Sequence, residues 1–89
     1  MDQEKQNGLI LFIVHSKLQL TNLCQDLITQ YKTLLSTEEG SFHDDIEKQF
    51  IEQAKRIVAK EIARMQLLDP EEVYIFLESF NIKEYFGLK

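Results

Sequence analysis

Asp69-Pro70-Glu71-Glu72, followed by Val73-Tyr74-Ile75-Phe76-Leu77-Glu78-Ser79-Phe80, constrains this chain more than any other stretch. An Asp stands where a cap accepts a backbone N–H, and Pro follows at the first helical position. Two acids fill the first turn, and apolar residues then recur at helical spacing. Apolar segments elsewhere in the chain are ambiguous by pattern alone, and a well-marked helix here tilts them toward helix. The scarcity of breakers agrees: three Gly and one Pro in 89 residues.

Leu9 to Val14 is one such segment, Leu-Ile-Leu-Phe-Ile-Val without a polar break. Alone it fits a buried strand as well as a helix. Beyond it, Leu20, Leu23, Cys24, Leu27, Ile28, Tyr31, Leu34 and Leu35 step by three and four, and no Gly or Pro interrupts. The pattern predicts one long helix over 9–35, apolar all round in its first two turns. Residues 1–8 are polar and are expected to be a flexible N-terminus, leaving 9–89 as a single domain. Gly40 ends a turn, and Ser41 with Asp44 has the spacing of a capping box. A second helix over 42–66 follows, with Ile46, Phe50, Ala54 or Ile57, Val58, Ile62 and Met65 inward. The third helix spans 70–80, with Leu68 and Val73 placed as a hydrophobic staple. Asn81 is placed to cap a last turn carrying Ile82, Tyr85 and Phe86, ended by Gly87. Two long helices joined by a short turn run antiparallel. The expected fold is therefore all-α: an antiparallel bundle of three main helices, about 9–35, 42–66 and 70–80, plus a short C-terminal helical turn.

A chain of 89 residues buries only about 60–65% of the surface its unfolded form exposes. Small domains offset this with disulfides, metals, regular helix packing or oligomerisation. Cys24 is the single cysteine, so no internal disulfide forms; with only His15 and His43 beside it, a Cys/His zinc cluster is not expected. The net charge of −5 disfavours phosphate backbones and anionic membrane surfaces. No apolar run approaches the roughly 20 residues of a membrane span, so membrane insertion is not expected. The unpaired thiol and the lack of a basic leader point to the cytoplasm.

Little in the sequence specifies chemistry. His43, Asp44, Asp45 and Glu47 are ligand types, but helix-start carboxylates explain the acids and no second pair of ligands is apparent. His15 and Cys24 lie nine positions apart, on opposite sides of a helix, so they do not form a nucleophile–base pair. Cofactors and metals are not expected. Arg56, Lys60 and Arg64 recur every four residues as a possible anion contact. The plainer reading is a solvated face paired with Glu52 and Glu61. The join Gln66-Leu67-Leu68-Asp69 suggests a helix-turn-helix, but the following helix carries Asp69, Glu71 and Glu72 and no base through Phe80, which disfavours nucleic acid.

Surplus apolar side chain is what remains. Leu9, Ile10, Phe12, Ile13 and Val14 are expected to form a homodimer interface. Tyr74, Ile75, Tyr85 and Phe86 either form an exposed partner-binding patch or are buried by a tail that folds back. The leading expectation is a non-enzymatic interaction or regulatory protein that binds a protein partner and self-associates. Size and fold class also suit a bacteriocin-immunity or antitoxin-like bundle that sequesters a toxic target. The basic stripe leaves a small helical enzyme for an anionic substrate as a further alternative.

Overall fold

The computed structural model describes residues 2–37 and 42–88, and within them every regular element is helical. The elements are α1 (Gln3–His15), α2 (Lys17–Leu23), α3 (Gln25–Thr37), α4 (His43–Gln66), α5 (Pro70–Glu78) and α6 (Ile82–Tyr85). The all-α bundle expected from the sequence is the fold observed.

The first three elements are one helix with two bends. Hydrogen bonds of the i→i−4 type continue through both: Ser16 N–H to Phe12 and Leu20 N–H to Ser16, then Cys24 N–H to Leu20 and Ile28 N–H to Cys24. Ser16 (φ −101°, ψ 16°) and Cys24 (φ −96°, ψ 9°) depart from helical angles without breaking the ladder. A straight helix over residues 3–37 would be about 52 Å long. The whole molecule measures 44 × 21 × 18 Å, so the bends curve this helix around its partners. It also starts six residues before the apolar pattern does. The Asp2 carboxylate accepts the Lys5 N–H at 2.8 Å, and Gln3 donates to Asn7 at 3.1 Å. A cap one residue from the start of the chain thus places 3–8 in a helix where the polar composition suggested a flexible end.

α4 is the centre of the bundle. α3 packs antiparallel to it: Tyr31 stacks on Phe50 with ring centroids 4.4 Å apart, while towards the other end Gln19 reaches Met65. α5 and α6 retrace α4 on its other side. Arg56 lies 5.4 Å from the Tyr74 ring, Lys55 donates to the Glu78 carbonyl at 3.3 Å, and Lys83 pairs with Glu47 at 2.9 Å. Ala54, Ala59 and Ala63 are buried on α4, where small side chains admit close neighbours. Leu9, Ile13, Leu20, Ile28, Phe50, Val58, Ile62, Val73, Leu77 and Ile82 supply most of the rest of the core. At about 1.5–3 kcal/mol per fully buried large side chain, they are the main stabilising term.

The expected starts of α5 and α6 are present. Asp69 accepts the Glu71 N–H at 3.1 Å, and Asn81 accepts the Glu84 N–H at 3.1 Å. α5 ends at Glu78, two residues before the expected Phe80, with the Ser79 hydroxyl donating to the Phe76 carbonyl. Val73 belongs to the buried core, and the half-buried Leu68 packs against that core. Met65, expected inside, is exposed, and Ile57 shares the inner face with Ala54. The proposed stop at Gly40 and the Ser41 capping box lie outside the described residues.

The turn after α4 closes in an unusual way. Leu67 sits in the left-handed region (φ 56°, ψ 47°), and the Leu68 N–H bonds back to the Ala63 carbonyl at 2.9 Å. That six-to-one bond is the Schellman stop, which normally places Gly at the left-handed position. Here the position is held by a leucine that is 92% exposed.

Candidate functional site

The apolar run 9–14 divides cleanly between two faces. Leu9 and Ile13 are buried in the chain's own core and Phe12 packs against it. These three therefore leave the expected dimer interface: at 100° per residue they share the inward side of α1. Ile10 and Val14 remain outside, joined by Leu11 and Leu18. These four occupy an arc of about 100° that continues from α1 across the Ser16 bend into α2. Their exposures lie between 48% and 76%. Ile10, Val14 and Leu18 step by four, a spacing legible in the sequence; Leu11 and Leu18 were missed because the unbroken run did not show which way its helix faced.

The expected partner patch resolves toward its other alternative. α6 folds back, so Tyr85 and Phe86 are half-buried against the core. The Tyr85 hydroxyl donates to the Ile13 carbonyl at 2.5 Å, and the ring meets Phe80 edge-on at 5.3 Å with the Lys17 ammonium 5.9 Å from its centre. Burial pushes this phenol up to about 12, with a smaller contribution from Cys24. Lys83, on the same turn, is held above the usual lysine range chiefly by its hydrogen bond to Glu47. Tyr74 is half-buried beneath Arg56, leaving Ile75 as the exposed member of the set.

The basic stripe has its carboxylates beside it. Arg56 pairs with Glu52 at 3.1 Å, and Arg64 pairs with Glu61. Lys60 stands between them without an ion pair among the described residues, at the border of two open troughs. One trough, about 400 Å³, is lined by Arg56, Ala59, Pro70, Glu71 and Tyr74. The other, about 480 Å³, has an aliphatic wall of Leu23, Ile57, Ala63, Leu68 and Pro70, with Lys60, Glu61 and Arg64 at its edge.

Among the described residues no polar or charged residue is buried, and no three His, Cys, Asp or Glu side chains converge on a metal-sized site. His15 is exposed while Cys24 is buried, and burial pushes the Cys24 thiol up to about 11. At neutral pH it is therefore a core atom with almost no thiolate. No helix among the described residues is long and apolar enough to cross a membrane. Compared with protein-family models, with curated proteins and with solved structures, the chain matches none.

Proposed function

We propose that this chain is a non-enzymatic, cytoplasmic interaction protein that self-associates through the outer face of α1 and α2 and acts by binding protein surfaces. The observation that carries this reading is the stripe of Ile10, Leu11, Val14 and Leu18, four large aliphatic side chains that the bundle leaves in water. A contiguous exposed apolar patch on a small protein marks a contact site. The four-residue ridge is also self-complementary: two such ridges interdigitate when helices cross at about −50°.

Covering side chains 48–76% exposed contributes roughly 4–7 kcal/mol per copy, at 1.5–3 kcal/mol for each fully buried one. Two copies gain about twice that, against an association cost of about 4–15 kcal/mol. The two ranges overlap, so the net gain is small and the dimer is weak and concentration-dependent.

Sedimentation velocity between about 10 µM and 1 mM tests it. The weight-average mass rises over that range for the wild type. Val14→Asp and Leu18→Asp, both at exposed positions, lower it without changing the far-UV circular dichroism. A mass in those variants identical to the wild type's would remove the assigned contact.

A further inference from the structure

We infer that the turn between α4 and α5 is a second self-contact, in which Leu67 of one copy enters the aliphatic trough beside the same turn of another. This goes beyond the α1–α2 contact and uses a different face.

Three observations meet at this turn. Leu67 is held outward, 92% exposed, by a left-handed backbone that leucine rarely adopts. Its own fold gives it no burial in return, and such outliers gather at functional sites. Next to it, Leu23, Ile57, Ala63, Leu68 and Pro70 line a trough of about 480 Å³, room for more than one aliphatic side chain. Knob and trough are joined through Leu67-Leu68, so one patch carries both halves of the contact. A two-fold dimer requires this, because each copy must give and receive with the same surface.

Charge selects a second copy as the occupant. Two chains of net charge −5 repel at most orientations. At this turn Lys60 edges the trough beside the Glu61–Arg64 pair, and the segment following Leu67 carries Asp69 and Glu71. When each Leu67 enters the other copy's trough, the acids that follow it come opposite the other copy's Lys60. The surface is thus complementary to itself in shape and in sign. With the α1–α2 stripe, each chain has two isologous faces, which build either a closed four-chain assembly or an open string.

The test separates the two faces by sedimentation velocity on four proteins: wild type, Val14→Asp, Leu67→Asp and the double variant. Asp tolerates the left-handed region better than Leu, and position 67 carries no packing, so the fold is kept. The expected result is a wild type that exceeds dimer mass, two single variants that stop at dimer, and a monomeric double variant. Leu67→Asp weakens association by tenfold or more in the Val14→Asp background. In that background Lys60→Glu also weakens it, and adding Glu71→Lys restores it. Raising salt loosens this contact but not the apolar stripe. A Val14→Asp protein that stays monomeric to about 1 mM overturns the proposal, leaving Leu67 to a different protein, and does so without touching the α1–α2 contact. A dimer of Val14→Asp indifferent to position 67 overturns it equally.

Discussion

Replacing Leu67 by Gly should stabilise the folded monomer, although it deletes a large side chain. A non-glycine residue in the left-handed region costs about 1–2 kcal/mol. Glycine removes that cost but has more chain entropy to lose on folding, about 0.5–1 kcal/mol. The usual loss from deleting a leucine, about 2–5 kcal/mol in a core, is absent at a residue 92% exposed. The net expectation is a gain of about 0.5–1 kcal/mol. For a domain of this size that raises Tm by roughly 2–8 °C. Urea unfolding followed at 222 nm, at concentrations below self-association, measures it; the midpoint should rise with an unchanged slope. Leu67→Ala is the control, because it removes the side chain and keeps the strained backbone, so it should stay near the wild type. If Leu67→Gly instead lowers the midpoint, or if Ala gains as much as Gly, the leucine is not strained and the account of the turn fails.

Gly8 lies inside α1, exposed, with nothing within 4 Å of where a Cβ would stand; Gly8→Ala should raise stability by about 0.5–1 kcal/mol in the same urea assay. Stability should fall in alkali. Cys24 and Tyr85 have folded-state pKa values raised to about 11 and about 12, so their contribution is complete below the unfolded values and is lost as pH climbs through the folded ones. The Cys24 share alone is about 2–3 kcal/mol, and the raised Lys83 adds with the same sign. Urea midpoints at pH 8 and pH 11 should differ accordingly, with a smaller difference in Tyr85→Phe; equal midpoints would contradict the burial of both groups.

Much of the fold was legible because its signals are local. Asp69, Pro70 and Glu71 act within one turn, so the start of α5 could be read from adjacent letters, and Asn81 marked α6 in the same way. The inward stripe of α4 was legible where apolar and charged residues alternate by helical period. It blurred at Met65, whose position depends on where α2 lies. The bends at Ser16 and Cys24 left no such mark, since the hydrogen-bond ladder runs through them and the curvature comes from what the helix wraps. The dimer residues were half legible. A run with every position apolar names a sticky segment but not its outward side, which is why Leu9 and Ile13 were placed outside and Leu18 was overlooked. Tyr85 was undecidable from the sequence, because its partner, the Ile13 carbonyl, is 72 positions away. Leu67 went unread as a contact because its exposure and its backbone angle are both properties of the closed turn.

The Tyr85–Ile13 hydrogen bond also bears on how this molecule is made. Synthesis delivers α1 before α6, so Leu9 and Ile13 emerge before Tyr85 can cover their region. The aromatic turn that roofs this region follows some seventy residues later, so α1 waits unsheltered while α2 to α5 are added. A truncation or stall before Asn81 would release a chain whose first helix presents apolar side chains on both sides, and such a product is prone to clump or to be held by chaperones.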